Sequence, residues 1–486
     1  MKSLLLFQTG VETVYELENV LQIFVSGSKL RLADDEVAFN ALRNQSDFAL
    51  KLVGTKNDIQ LEIFDSEVLV KRTLFVFGGN SKEDKIEFKR TLYQFLAAYF
   101  KPLSKWGILV GIRPVKIVHE LLDEGVAEEQ LLTILKDKYL VSDEKASLML
   151  EIAKRERTHI TPYDSNLISL YVCIPFCPTR CLYCSFPSND LKQKGKKVPE
   201  YLEKLEEEIR VATAHIYSLG KKIDCIYIGG GTPTSIKADE MQSLLTVIAS
   251  HVRMEDLKEY TIEAGRPDTI DLEKLSLMKQ FGVDRICVNP QTMNEETLVT
   301  IGRSHNSEAI VKVMNMAREV GFETINMDVI MGLPGESAVH SQKTIEQLMA
   351  LDPENITIHT LAVKRASRLN EDRESYELSH DEVVAEMMTL ADQELRKHGL
   401  SPYYMYRQKK MIGHLENVGY AKIGHESLYN MRIMEERHSI VACGAGAISK
   451  LCEPKENRFE RVANFKGLED YLERFDEILA KKKLLR

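Results

Sequence analysis

The first part of the chain mixes strand-like and helix-like patterns. The alternating run Ile59–Ile63 and the short apolar runs that follow it predict strands, and the amphipathic stretch Glu83–Phe100 predicts a helix. Because these elements show no repeating unit, residues 1–160 are expected to form an α+β domain of their own. The domain is expected to end near Pro162, where proline interrupts the pattern and a different one follows.

Strands and helices alternate regularly from residue 161 to residue 378. Helical patterns such as Tyr201–Ile216 and Val339–Ala350 separate short apolar runs. The six runs predicted as strands are Ser169–Ile174, Asp224–Ile228, Tyr260–Glu263, Arg285–Val288, Thr324–Ile330 and Ile356–Leu361. Repeated βα units predict an α/β fold with a parallel sheet, and six of them predict a partial (βα)6 barrel. Residues 379–486 are expected to form a helical C-terminal region, irregular around 402–450.

Composition and charge narrow the possible classes of protein. A chain of 486 residues is too long for one ordinary core. Its net charge of −9 and the absence of a long basic run argue against a nucleic-acid partner. The first apolar run, Leu4–Phe7, is too short for a signal peptide, and no stretch reaches the ~18 apolar residues of a membrane span. We therefore expect a cytoplasmic protein, whose eight cysteines point to metal or redox chemistry rather than to disulfides.

Three cysteines carry the strongest chemical pattern in the sequence. Cys177, Cys181 and Cys184 have the spacing C-x₃-C-x₂-C in a loop that follows the first predicted strand. Iron–sulfur clusters are normally held by four thiolates, so three ligands leave one iron open to S-adenosylmethionine. The alternatives are a zinc site, which prefers four ligands, and inert buried thiols. Cys173 precedes this group and is expected to lie on the strand rather than to act as a fourth ligand.

Further polar residues follow the later predicted strands. The run Gly229–Gly231 comes directly after the second strand, and adjacent glycines let a ligand approach the backbone closely. Glu263, Gln291 and Asp328 lie at or beyond the next strands. Active sites of βα barrels gather at the carboxyl ends of the strands, so these residues are expected to converge.

The stretch Tyr171–Phe186 resembles the cluster loop of the oxygen-independent coproporphyrinogen III oxidase family of radical S-adenosylmethionine enzymes. That family reads Y-x-H-I-P-F-C-x-x-x-C-x-Y-C. The loop Trp106–Lys116 resembles that of the HemZ-type branch, which carries an extra N-terminal domain, so the resemblance covers most of the chain. It implies a 4Fe–4S cluster, one or two molecules of S-adenosylmethionine, a tetrapyrrole substrate, and reduced flavodoxin or ferredoxin as electron donor.

The resemblance also implies roles for individual residues. It places Tyr171 and the three cysteines at the catalytic centre. The residues implied to contact the first S-adenosylmethionine are Tyr171, Gly230, Gly231, Thr232 and Glu263. Those implied to contact a second molecule, or its ribose and carboxylate, are Gln291, Arg303, Asp328 and Ala362, and further cofactor contacts are implied for Tyr183 and Ile448. For the charged residues the alternative is a solvated side chain or an ion pair within the barrel.

Several departures from the family pattern leave the substrate open. Cys173 replaces the family histidine, and Phe186 stands where proven oxidases have cysteine and the haem-chaperone branch has phenylalanine. His425 and Tyr429 remain from the haem-linked motif of that branch. The favoured function is oxidative decarboxylation of coproporphyrinogen III to protoporphyrinogen IX. A haem chaperone and another radical reaction on a tetrapyrrole are the alternatives.

Basic and aromatic residues could bind the tetrapyrrole. Arginine and lysine suit its carboxylates, and the candidates are Arg113, Lys116, Lys364, Arg365 and Arg407. Tyr403, Tyr404 and Tyr406 could line a flat pocket. The alternatives are a solvated basic face for the first group and ordinary core packing for the second.

Overall fold

The computed structural model describes residues 2–11, 14–25, 29–79, 81–110, 113–186, 188–453 and 458–484. The chain forms two compact units, one made of Met1–Leu150 with Arg407–Lys409 and the other of Glu151–Tyr406 with Lys410–Arg486. The boundaries of the three predicted domains stay a prediction. Among the described helices, none has the length and apolar character needed to cross a membrane.

The first unit is an α+β structure, as its mixed pattern predicts. Its elements are β1 (Leu4–Thr9), α1 (Val14–Leu21), β2 (Leu30–Leu32), α2 (Glu36–Leu42), β3 (Phe48–Gly54), β4 (Asp58–Asp65), β5 (Val68–Val76), α3 (Ser81–Ala97), α4 (Pro114–Asp123) and α5 (Glu128–Asp137). The strands form one sheet in the order β2-β1-β3-β4-β5. The predicted strand Ile59–Ile63 lies in β4, and the predicted helix Glu83–Phe100 corresponds to α3.

The loop Trp106–Lys116 packs within this first unit. Trp106 is buried, and the guanidinium of Arg407 lies 4.8 Å from the centre of its ring. Arg407 is itself buried and donates a hydrogen bond to the Leu109 carbonyl. Arg407 therefore has a packing role at this position. Gly111 and Ile112 of the same loop lie outside the described residues.

The second unit is built on an 11-stranded sheet. After α6 (Asp143–Ile160) its elements are β6 (Leu167–Ile174), β7 (Phe176–Cys177), β8 (Asn189–Asp190), α7 (Leu191–Lys194), α8 (Val198–Ser218), β9 (Lys222–Gly230), α9 (Ala238–His251), β10 (Glu259–Gly265), α10 (Leu272–Gln280), β11 (Arg285–Val288), α11 (Glu295–Thr300), α12 (Ser307–Val320), β12 (Thr324–Met331), α13 (Ala338–Met349), β13 (Asn355–Thr360), α14 (Arg368–Glu371) and α15 (Asp381–Lys397).

The six predicted strands are all present, and they lie side by side in parallel. They correspond to β6, β9, β10, β11, β12 and β13, and neighbours along this series pair in parallel. Their patterns are almost continuously apolar because both faces of a parallel sheet are covered. This (βα)6 arrangement confirms the predicted α/β fold and brings the six carboxyl ends to one edge of the sheet.

The C-terminal region differs from the expected helical one. It continues with β14 (Ser401–Tyr406), β15 (Asn417–Ala421), α16 (Leu428–Glu435), β16 (Ser439–Cys443), β17 (Ile448–Glu453), β18 (Arg458–Ala463), α17 (Leu468–Glu473) and α18 (Phe475–Lys482). All five strands join the large sheet, whose order is β14-β15-β13-β12-β11-β10-β9-β6-β16-β17-β18. β16 pairs in parallel with β6 as a seventh parallel strand. The prediction was wrong here because β14, β15 and β16 are nearly buried throughout and so lack an alternating pattern.

The last helix anchors the loop behind the cysteine strand. Lys482 of α18 is fully buried, and its ammonium lies 3.1 Å from the Glu208 carboxylate. The same carboxylate accepts hydrogen bonds from Tyr471 at 2.6 Å and from the Gly444 N–H at 2.8 Å. Gly444 has a φ of +104°, and a Cβ there would lie 2.7 Å from the Cys173 carbonyl oxygen. The C-terminal helices therefore fix a tight turn directly against β6.

Candidate active site

The loop that carries the three cysteines is anchored by backbone hydrogen bonds. Cys177 ends β7, which pairs with β8, and Cys181 and Cys184 follow in an irregular turn. The Cys184 N–H donates to the Cys181 carbonyl at 3.2 Å, and the Leu182 N–H donates to the Ile301 carbonyl at 3.0 Å. The loop is thus tied both to itself and to the segment after β11.

The three thiols of this loop lie near one another and interact. Burial raises the pKa of Cys177 to about 11, the hydroxyl of Thr232 opposes this rise, and Cys184 and Cys181 raise the pKa further. Burial likewise raises the pKa of Cys184, with Cys181 adding to the effect. Each of these buried thiols disfavours the ionisation of its neighbours. A cation or metal cluster between them reverses this effect and stabilises the thiolate forms.

The backbone beside Cys177 packs closely against the cysteine loop. A Cβ on Gly231 would lie 2.6 Å from the Phe176 carbonyl oxygen and 3.0 Å from Cys177 Sγ, so only glycine fits this place. The Thr232 hydroxyl donates to Cys177 Sγ at 3.5 Å. Arg303 brings its guanidinium beside Cys181, where it can balance thiolate charge. Three sulfur donors and a neighbouring cation fit a 4Fe–4S cluster better than a four-ligand zinc site.

Cys173 lies on β6, as expected. It is buried, and burial raises the pKa of its thiol to about 12 while the Tyr171 hydroxyl opposes the rise. A Cβ on Gly230 would lie 2.7 Å from Cys173 Sγ, so the thiol packs against the glycine run. This packing supports a structural role for Cys173 beside the candidate ligands.

Three stacked tyrosines and a carboxyl group lie next to the glycine run. The rings of Tyr171 and Tyr227 are 6.2 Å apart, and those of Tyr227 and Tyr429 are 4.3 Å apart. The Tyr227 hydroxyl donates to Glu263 Oε1 at 2.7 Å. Burial raises the pKa of Glu263 to about 7, although Tyr227 and the Gly230 N–H bind the charged form. Glu263 therefore has a carboxyl group that changes its charge near neutral pH.

Asp328 lies on β12, two strands away from Glu263 on β10, and its carboxyl group has a low pKa. Burial raises the pKa of Asp328, but His359, Asn326 and Thr357 more than offset this effect and hold the pKa below its usual range. His359 Nε2 lies 3.7 Å from Asp328 Oδ1, and its other ring nitrogen is 3.1 Å from the Tyr406 hydroxyl. The two carboxyl groups therefore differ in charge at neutral pH, which suits two different polar contacts.

Most other predicted residues also lie at this edge of the sheet. Arg303 donates to the Asn289 carbonyl at 2.6 Å and to the Tyr183 hydroxyl at 3.2 Å. Gln291 has a φ of +69° and forms a bridge with Val329 of β12. Ala362 follows β13 and forms a bridge with Met411. Ile448 begins β17, is exposed, and pairs with Ala463 of β18.

The structure also shows residues that the sequence reasoning did not select. Tyr227 contacts the carboxyl group of Glu263, and His359 contacts that of Asp328. Both residues lie within predicted strands, and a polar side chain in an otherwise apolar run was the signal that could have revealed them. Arg266 is buried and donates to Thr179 Oγ1 of the cysteine loop at 2.7 Å. Its position just after the third predicted strand could have revealed it.

Some candidate tetrapyrrole residues have other roles. Tyr403 and Tyr404 pack together in a small core cluster, with rings 4.8 Å apart. His425 accepts or donates a hydrogen bond with Thr324 Oγ1 at 2.8 Å. Thr324 begins β12, whose carboxyl end is Met331, so His425 lies roughly 23 Å from the cysteine edge at ~3.3 Å per strand residue. Tyr429 is buried in the tyrosine stack.

Comparison with known proteins identifies the family of this chain. Residues 171–348 match the family model described as the radical SAM superfamily. The chain is 36% identical over 472 residues to the oxygen-independent coproporphyrinogen-III oxidase-like protein HemZ of Bacillus subtilis, covering 95% of this chain and 93% of that one. It is 32% identical to the haem chaperone HemW of Bacillus subtilis over 57% of this chain and 70% of that one.

A solved structure has the same fold. The coproporphyrinogen III oxidase HemN of Escherichia coli, described as a radical SAM enzyme, matches with a TM-score of 0.52 and 23% identity, over 66% of this chain and 71% of that one. The fold and the cysteine loop thus define a radical SAM protein. Within that superfamily, the chain belongs to the family of oxygen-independent coproporphyrinogen-III oxidase-like proteins.

Proposed function

We propose that this protein is an oxygen-independent coproporphyrinogen III oxidase that converts two propionate groups into vinyl groups and yields protoporphyrinogen IX. The main support is the grouping of three thiols, the glycine run and Glu263 at one edge of the parallel sheet. The likeness to HemZ over nearly the whole chain supports the same reaction class.

The chain's own residues would hold the reacting groups. Cys177, Cys181 and Cys184 would bind a 4Fe–4S cluster, which with S-adenosylmethionine supplies a 5′-deoxyadenosyl radical. Glu263 and the backbone of Gly230 and Gly231 would bind the amino end of S-adenosylmethionine, since a carboxylate and close backbone groups suit an ammonium. Reduced flavodoxin or ferredoxin would deliver the electron.

Polar residues further along the edge would orient the rest of the cofactor. Asp328 stays ionised through His359 and suits ribose hydroxyls, while Arg303 suits a carboxylate. Gln291 and Ala362 lie on the same side of the sheet, at the ends of their strands. Tyr171 is held in the tyrosine stack beside Cys173. These groups would orient the cofactor and would not themselves exchange electrons with the substrate.

The overall chemistry balances for each propionate. One hydrogen atom would pass from the β-carbon to the 5′-deoxyadenosyl radical and give 5′-deoxyadenosine, CO₂ and the carboxyl proton would depart, and one electron would pass to a one-electron acceptor. A vinyl group remains. Two such rounds remove two CO₂ and four hydrogen atoms from coproporphyrinogen III.

A haem-chaperone role is the second candidate. Its support is the likeness to HemW and the exposed Phe186, which also occurs in the haem-chaperone branch. The haem-linked positions do not favour it, because His425 is bound to Thr324 and Tyr429 is buried. A chaperone would therefore need a different haem site in this chain.

Product analysis under anaerobic conditions tests the proposal. Cluster-loaded protein would be mixed with S-adenosylmethionine, a strong reductant and coproporphyrinogen III, with Cys181→Ala as control. We expect substrate-dependent 5′-deoxyadenosine and a tetrapyrrole that has lost two CO₂ and four hydrogen atoms, and neither from the control. Cofactor cleavage with an unchanged tetrapyrrole would refute the decarboxylase function, and tight haem binding without turnover would favour the chaperone.

A further inference from the structure

The segment after β13 is tied to the cysteine loop. The Leu369 N–H donates to the Leu182 carbonyl at 3.0 Å, and the Arg180 guanidinium donates to the Ala366 carbonyl. Within the segment, the buried Ser367 donates to the Lys364 carbonyl through its N–H at 2.9 Å and its hydroxyl at 2.7 Å. The backbone of Lys364 is therefore held in a fixed place beside the three cysteines.

The side chain of Lys364 carries a positive charge that no carboxylate among the described residues neutralises. It is half-buried, and in the part of the chain that the structure describes no carboxylate or hydrogen-bond acceptor binds its ammonium. Its electrostatic neighbour is the Cys184 thiol. A partly desolvated ammonium without a partner is unfavourable, so this position points to an anion that binds there.

An exposed aromatic ring lies on the same part of the loop. Phe186 is 65% exposed. Its backbone N–H points at the Cys184 thiol. Phe186 and Lys364 are therefore both neighbours of Cys184, one offering an apolar face and the other a cation.

These two residues match a ligand with a flat apolar ring and acidic side chains. Offset stacking on a phenyl ring and a charge-assisted hydrogen bond to a carboxylate would act on different parts of such a ligand. We propose that Lys364 and Phe186 form the recognition site for a propionate-bearing tetrapyrrole, with Lys364 on a carboxylate and Phe186 against the macrocycle. This inference rests on the proposed function and adds the residues that select the substrate.

The other source of negative charge is the iron–sulfur cluster itself. A lysine that served only the cluster would change its reduction potential and leave tetrapyrrole binding unchanged. A lysine that binds substrate would discriminate between free and blocked carboxylates. The two roles therefore separate in a binding experiment.

The probes are coproporphyrin III, the oxidised and air-stable form of the tetrapyrrole, and its tetramethyl ester, both at the same low detergent concentration. Binding would be followed by quenching of porphyrin fluorescence with the cluster-loaded full chain. The variants are Lys364→Met, Lys364→Arg and Phe186→Ala. Lys343→Met, which removes an exposed charge on α13, is the matched control.

We expect Lys364→Met to weaken binding of the tetra-acid by about 10- to 100-fold and to leave ester binding unchanged. Lys364→Arg should retain most of the affinity. Phe186→Ala should weaken both probes by about 3- to 10-fold, because stacking does not depend on the carboxylates. Lys343→Met should match the wild type, and iron content should be equal in all variants.

Three outcomes would overturn the inference. They are wild-type affinity of Lys364→Met for the tetra-acid, equal losses for acid and ester, or a change confined to the reduction potential of the cluster. Binding as expected without any decarboxylation would keep the site and refute the proposed reaction. Decarboxylation with an unchanged KM in Lys364→Met would keep the reaction and refute the site, and a wild type that binds neither porphyrin would refute the site as well.

Discussion

Replacement of Glu263 by glutamine should stabilise the fold in a pH-dependent way. The pKa of Glu263 is about 7 in the folded protein, against an ordinary value of 4.5. The folded protein therefore holds a proton between these two values that the unfolded chain has lost. The contribution of Glu263 to the free energy of unfolding is highest below pH 4.5. It falls as the pH rises towards 7, because the folded state must then bury the charged carboxylate.

The magnitude follows from the size of this shift. The difference of 7 − 4.5 = 2.5 corresponds to about 3 kcal/mol at 1.36 kcal/mol for each pKa unit. Glu263 keeps partial solvent contact, so screening reduces the effect, and we expect about 1–3 kcal/mol. Glutamine does not titrate, and it can still accept the hydrogen bond from Tyr227.

Urea unfolding of the cluster-free protein at pH 5 and pH 8 measures the effect. Glu263→Gln should gain about 1–3 kcal/mol over the wild type at pH 8 and much less at pH 5. In the cluster-loaded protein, the affinity of this variant for S-adenosylmethionine should fall by about 10-fold or more. Glu319→Gln, at an exposed position, is the control and should show no difference between the two pH values. Equal differences at both pH values would refute the reasoning about burial.

Three further predictions concern the supports of the site. Gly231→Ala should lower the iron bound per chain with little change in helicity, because the new Cβ would lie 2.6 Å from the Phe176 carbonyl oxygen. The control is Gly195→Ala, where a Cβ meets only a side chain at 4.0 Å, and this variant should bind iron normally. Lys482→Met should cost about 3 kcal/mol in urea unfolding, because the buried Glu208 loses its cation, and a loss below about 1 kcal/mol would contradict this account. His359→Leu should raise the pKa of Asp328, so the acid limb of S-adenosylmethionine binding should move to higher pH in a titration; an unmoved limb would argue against the pairing.

The parallel core of the fold was predictable because its pattern is simple. Each of the six strands is a short apolar run between helical segments, and buried parallel strands show this pattern. The C-terminal strands were not predictable in this way. Ser439, the first residue of β16, lies 272 positions after Leu167, the first residue of β6, so only long-range pairing reveals that β16 inserts beside β6.

The candidate ligands could be found from local spacing, but their surroundings could not. Cys177, Cys181 and Cys184 lie within one loop, so the sequence alone groups them. Tyr227 and His359 act on Glu263 and Asp328 across neighbouring strands, and such contacts depend on the sheet register. The position of Lys364 near Cys184 is likewise visible only once the segment after β13 is placed against the cysteine loop.

The assignment of three cluster ligands with one open iron is the central claim, and iron analysis of four single variants tests it most directly. The variants are Cys173→Ala, Cys177→Ala, Cys181→Ala and Cys184→Ala, each reconstituted anaerobically, with iron counted and the reduced protein examined by electron paramagnetic resonance with and without S-adenosylmethionine. We predict a full cluster in Cys173→Ala, with a spectrum that changes when S-adenosylmethionine is added, and loss of the cluster in the other three. Loss of the cluster in Cys173→Ala, or a full cluster in Cys181→Ala, would contradict the account.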